Sequence, residues 1–170
     1  MTFRAFRHLW FPKPYSVRSR RLVLALTAAF ASSIVDPVWA GSDDVTVESP
    51  WSRATIGTAR PGAAYMIVRN NGDKPANLTS LQSPVAGRAE IHRTSTNSDG
   101  VSSMAPTGDI VIAPGTSIAL EPGGLHAMLM MLQEPLRKGE SFPLALVFSD
   151  GGEVTVEVPV LGVGARGPEG

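Results

Sequence analysis

The segment Leu144-Ala-Leu-Val-Phe-Ser-Asp-Gly-Gly-Glu-Val-Thr-Val-Glu-Val158 decides the fold. Leu144, Leu146 and Phe148 alternate with Ala145, Val147 and Ser149, and Val154, Val156 and Val158 alternate with Thr155 and Glu157. Successive side chains of a strand point to opposite faces, so a period of two marks a strand with one buried and one wetter face. Ser149-Asp-Gly-Gly152 supplies the turn between the runs, and the whole reads as a β-hairpin.

The same grammar extends toward the N-terminus. Short runs rich in β-branched and apolar residues are cut by Gly, Pro, Asn and Asp at close intervals, and helical periodicity is nearly absent. Strands are expected at Val45 to Val47, Ala63 to Asn70, Asn77 to Leu81, Arg88 to His92, Ile110 to Ile112, Ser117 to Leu120 and along the apolar run Leu125 to Leu132. Thr94 to Gly100 reads as a polar loop. Many short strands with regular turns make an all-β sandwich or barrel. The Gly-rich tail, residues 161–170, is expected to fray.

The N-terminal end has another character. Arg4, Arg7, Lys13, Arg18, Arg20 and Arg21 form a basic leader, followed by the apolar run Leu22 to Phe30 and by Val38-Trp39-Ala40. That order marks residues 1–40 as a cleavable secretory signal rather than a membrane anchor, because the apolar core is too short to span a bilayer. Arg20-Arg21 adds a weak twin-arginine hint. The expected location is the periplasm, and the expected functional domain is residues 41–160.

From Gly41 onward the chain holds nine basic and fourteen acidic residues, a net charge of −5 concealed by the zero net charge of the full sequence. No Lys/Arg cluster is present there, which argues against a nucleic-acid face. The sequence contains no cysteine. Disulfides, thiolate nucleophiles and thiolate metal ligands are therefore excluded, and soft-metal chemistry must use histidine and methionine.

Two histidines, His92 and His126, and five methionines, Met66, Met104, Met128, Met130 and Met131, lie beyond the leader. On a strand, His126 and Met128 share a face and present a nitrogen and a thioether sulfur together. His92 ends another strand and Met104 follows the polar loop after it. A sandwich could gather the four at one end. Thioethers are soft and neutral and select Cu(I), imidazole also suits copper, and a zinc site would use Cys, His or carboxylate. Oxidation to the sulfoxide would remove such a ligand. Met66, Met130 and Met131 read as core filler, although Met130 shares the face of His126. Glu90, two residues before His92 and on the same side, reads as a surface group or one supporting the histidine rather than a general base. No catalytic constellation stands out, so the chain is not expected to be an enzyme.

These residues resemble the signature of the PCu(A)C-type periplasmic copper chaperones. His92 is followed by Arg93, ten residues, Met104, twenty-one residues and His126-Ala-Met128. Gly62-Ala-Ala-Tyr65, Ala89-Glu-Ile-His92, Pro122-Gly-Gly-Leu-His126 and Val154-Thr-Val-Glu-Val158 extend the resemblance over roughly Trp51 to Val160. The resemblance implies a cupredoxin-like Greek-key β-sandwich with Cu(I) held by His92, Met104, His126 and Met128. It also implies delivery to the CuA centre in subunit II of cytochrome c oxidase, alongside a Sco-type thiol protein, by a monomer. Arg93 stands where the family often has a further Met, and Ser102-Ser103 precede Met104 where bulkier or basic residues are more usual.

A metal-free accessory or adhesion sandwich is the competing reading, and it requires the methionines to be buried away from His126. If the histidines ligate, Cu(I) affinity should weaken below about pH 6, because the ligating ring must be neutral and free histidine titrates near pH 6.5. An affinity that stays flat in a chelator titration down to about pH 5 would exclude them.

Overall fold

In the computed structural model, which describes residues 42–168, the C-terminal hairpin forms as its alternation requires. β9 (Ser141–Phe148) pairs antiparallel with β10 (Glu153–Leu161), from Val147 opposite Glu153 to Ser141 opposite Pro159. Gly151, at φ 83°, closes the turn, where Phe148 N donates to Gly152 O at 2.9 Å. Leu144 and Leu146 are fully buried, and burying such a side chain supplies about 1.5–3 kcal/mol.

Eight further strands complete the fold among the described residues: β1 (Val45–Arg53), β2 (Gly62–Asn70), β3 (Ala76–Gln82), β4 (Ala86–Thr96), β5 (Ser102–Pro106), β6 (Ile110–Ile112), β7 (Ser117–Leu120) and β8 (Leu125–Leu132). They are ordered β5-β4-β8-β7-β2-β1-β10-β9-β3-β6. β1 lies parallel to β10, and β3 meets β4 again at Leu81 and Ala89, so the sheet curls back on itself. The result is an all-β Greek-key sandwich, as the sequence implied. Its core draws on Ala64, Met66 and Val68 of β2, Leu78 of β3, Ile91 of β4, Leu129 of β8 and the β9–β10 hairpin. No helix of the described residues is long and apolar enough to cross a membrane. The expected signal, residues 1–40, lies outside the described residues.

Three departures from the sequence reading have physical causes. β1 continues to Arg53 through an irregularity between Glu48 and Trp51, where Ser49 takes φ 48° before Pro50. The extra residue inverts the alternation. Val45 and Val47 face the core before it, whereas Ser52 and Ala54 do so after it, and Trp51 and Arg53 turn to the opposite face. Second, β4 runs on to Thr96, and the expected loop shrinks to a turn at Asn97–Gly100, where Asn97 Oδ1 accepts from the amides of Asp99 and Val101. β5 then pairs back on β4, so Met104 sits on a strand. Third, Met131 is not core filler. It is 62% exposed, at φ 52°, while Met66 is buried as expected and Met130 is half-buried. At the C-terminal end β10 includes Leu161, and Ala165 O accepts a hydrogen bond from Arg53 Nε at 2.7 Å.

One buried polar side chain fastens the far end of the sandwich. Asn70 is fully enclosed, donates through Nδ2 to Lys74 O (2.7 Å) and Ile112 O (3.0 Å), and accepts from Gly72 N (2.9 Å). It joins β2, the turn after it and β6. Asn70→Ala should cost about 2–3 kcal/mol in urea unfolding, because it strands a buried carbonyl and amide. A loss below about 0.5 kcal/mol would show that water replaces those bonds.

Candidate metal centre

The antiparallel register of β4 and β8 sets the site. His92 stands directly opposite His126, and Glu90 directly opposite Met128. Opposed residues share a face, and so do residues two apart on one strand. These four side chains therefore lie on one face, while Ile91, Ala127 and Leu129 take the other and enter the core. β5 adds Met104 to the same face, opposite Thr94 and diagonal to His92. β2 adds Ala63, opposite Met128.

The two histidine rings have centroids 6.3 Å apart at an interplanar angle of 44°. Met104, His126 and Met128 line a single cleft of about 350 Å³. His92 is not among its lining residues. Burial is graded across the group: His126 is 5% and His92 8% exposed, Met128 is half-buried, and Met104 is 59% exposed. The candidates thus form a buried imidazole pair with thioethers toward solvent. This is the opposite of methionines packed away from His126. Met130 shares the face of Met128 but does not line the cleft.

Hydrogen bonds orient both rings. His126 Nδ1 lies 3.2 Å from Gly124 O. A carbonyl only accepts, so Nδ1 carries the proton and Nε2 keeps its lone pair. His92 Nε2 lies 3.3 Å from Glu90 Oε2. Arg88 also bonds Glu90, and this contact, with His92, holds the Glu90 carboxyl below the usual carboxylate range against the opposing effect of desolvation. Glu90 therefore stays ionised at neutral pH and accepts from His92 Nε2–H. Because its folded value is depressed, any stability it supplies is present above the ordinary carboxylate range and fades as pH falls through the lowered value. His92 Nδ1 is then a lone-pair nitrogen, buried and without a hydrogen-bond partner among the described residues. An unpaired buried acceptor costs about 1–3 kcal/mol, which a bound cation would relieve. A carboxylate orienting a ligating imidazole through its other nitrogen is the usual arrangement beyond a metal's own ligands.

No three His, Cys, Asp or Glu side chains converge among the described residues. The candidate donors on this face are two imidazoles and two thioethers, a set matched to a soft monovalent cation rather than to zinc, calcium or magnesium.

The sequence reading missed the opposite wall of the cleft. The inverted alternation of β1 places Trp51 against Tyr65, with ring centroids 4.5 Å apart, and the Arg53 guanidinium lies 5.7 and 5.6 Å from the two rings. Burial raises the Tyr65 phenol above its ordinary value, partly offset by Arg53, so it stays neutral. Arg53, Tyr65 and Arg60 line the cleft with the thioethers. No period-two pattern signals them, because Ser49-Pro50 interrupts it.

A Greek-key β-sandwich with this His/Met face is a cupredoxin-like domain of the PCu(A)C type. Similar solved structures include the copper-bound PCuAC domain from PmoF2, with TM-score 0.59 and 26% identity over 70% of this chain and 93% of that one. Another is CuI-DR1885 from Deinococcus radiodurans in solution, with TM-score 0.51 and 31% identity over 79% of this chain and 85% of that one. Among curated proteins, "Putative lipoprotein Lxx21020" of Leifsonia xyli subsp. xyli (strain CTCB07) is 34% identical over 119 residues, 70% of each chain. The chain belongs to the family described as "Putative lipoprotein LpqE-like", whose model matches residues 45–160.

The bonding pattern fixes two different tautomers in the metal-free protein, Nε2–H for His92 and Nδ1–H for His126. Long-range ¹H–¹⁵N spectra at alkaline pH should show both. Glu90→Ala should turn His92 into a mixture and leave His126 unchanged, and an unchanged His92 would remove Glu90 from the role assigned to it.

Proposed function

We propose that the chain is a periplasmic Cu(I) carrier that binds copper through His92, Met104, His126 and Met128 and delivers it without catalysing a reaction. One observation carries this reading: His92, whose buried Nδ1 has no hydrogen-bond partner among the described residues, lies on the strand face shared by His126 and two thioethers. The copper-bound form of the PmoF2 domain and the Cu(I) form of DR1885 support it.

The donor set explains binding and release together. Thioether and imidazole hold Cu(I) without a net negative charge, so the ion remains transferable to a thiolate-rich acceptor. Exposed Met104 is the ligand that an acceptor reaches first, and transfer proceeds through shared ligation. The acceptor we propose is the CuA centre in subunit II of cytochrome c oxidase, with a Sco-type thiol protein acting alongside. On this reading residues 1–40 direct export and are removed, and the carrier works as a monomer from Gly41 onward.

The test is an anaerobic Cu(I) titration of the protein lacking residues 1–40 against a chromophoric chelator, with Zn²⁺ as control. One tight Cu(I) per chain is expected. Met128→Ala or His126→Ala should lower the affinity by at least about a hundredfold, in line with loss of a metal-site group. Failure to compete for Cu(I), or equal preference for zinc, would sink the carrier reading and leave a metal-free accessory sandwich.

A further inference from the structure

The rim of the cleft differs in charge from the rest of the protein. From Gly41 onward carboxylates outnumber basic groups, fourteen to nine. Yet the residues lining the cleft include Arg53 and Arg60 and no carboxylate. Only Arg69, Arg88 and Arg137 are paired among the described residues, with Glu48, Glu90 and Glu140 respectively; Arg53 and Arg60, like Lys74, Arg93, Lys138 and Arg166, have no ion-pair partner there, but they alone of these line the cleft. Arg53 is held in place by its Nε bond to Ala165 O and by the Trp51 and Tyr65 rings, which leaves the outer nitrogens of its fork for another acceptor. Arg60 is exposed, in the segment between β1 and β2. Beside them lie Met104, Pro122 and Gly123, all exposed and uncharged.

We infer that this rim is a docking surface for a protein acceptor that presents carboxylates around its copper-accepting thiolates. The inference rests on the carrier reading for the word copper, and on the structure alone for the acidic partner. The occupant must come to Met104 to share the ion, and in doing so it meets two unpaired guanidiniums first. Guanidinium forks bind carboxylates bidentately and orient them. A local field of one sign on a chain of the other sign steers a complementary partner to this face rather than to the protein at large, with gains of tenfold or more in encounter rate at low salt.

The probe is a Cys-x-x-Cys peptide flanked by aspartates, compared with the same peptide flanked by serines. Binding to the metal-free protein is followed by ¹⁵N chemical shifts, so that docking is read without copper. At low ionic strength the aspartate peptide should bind at least about tenfold tighter and perturb the amides of Arg60, Thr94 and Gly123. That preference should vanish near 1 M salt, where charges are screened within about 3 Å. Arg60→Glu should remove most of it, and Lys138→Glu, an equal charge change elsewhere, should not. Equal binding of the two peptides, or equal loss in both variants, overturns the proposal. So does a preference for phosphatidylglycerol vesicles over the aspartate peptide, which would assign the rim to a membrane surface. Cu(I) affinity is measured separately by chelator competition. If copper is not bound while the aspartate peptide still docks at Arg60, the carrier reading fails and the acidic-partner surface stands.

Discussion

The register between β4 and β8 is the constraint on which the rest depends. Because side chains alternate with a period of exactly two along a strand, a slip of one residue would send His92, or His126 and Met128, into the core and bring Ile91 or Leu129 out. The core forbids it. Ala89 stands opposite Leu129 and Ile91 opposite Ala127, and these apolar pairs close one side of the ladder. Hydrophobic burial thus chooses the register, and the register assembles the polar face as a by-product. The imidazole pair therefore needs no local stabilisation of its own to be placed correctly, which is what allows one ring nitrogen to remain without a partner among the described residues.

The irregularity at Ser49-Pro50 does similar work from the other side. A regular β1 would have aimed Trp51 at the core. One additional residue turns it to the other face of the strand, where it packs buried against Tyr65, and brings Arg53 with it. A non-glycine residue at positive φ carries strain, commonly of order 1–3 kcal/mol, and such strain recurs where a side chain must be re-aimed. The cleft is thus made of two walls with separate origins, one dictated by a regular ladder and one by a break in it.

That division explains what the sequence made legible. The hairpin of β9 and β10 was plain, because Leu144, Leu146 and Phe148 alternate without interruption. The pairing of His126 with Met128 followed from the same period. His92 was placed on a strand, but its partner across the ladder is a long-range fact that no local pattern encodes. The strand carrying Met104 was invisible, since Ser102 to Pro106 are all exposed and present no apolar alternation. Trp51 and Arg53 were hidden by the inversion. Met131 departs from expectation because hydrophobicity marks it for the interior, whereas its backbone turns it out.

The four candidate donors are not anchored alike. Three of them, His92, His126 and Met128, sit on strands whose other faces are sealed into the core. Met104 sits on β5, an outer strand that among the described residues pairs with β4 alone and has no buried residue. Segments with few buried contacts open locally at low free energy while the remainder stays folded. On the proposed reading, the site is therefore a fixed seat with a latch. The seat sets how tightly the ion is held at equilibrium, and the latch, which opens at little expense to the fold, sets how quickly it leaves.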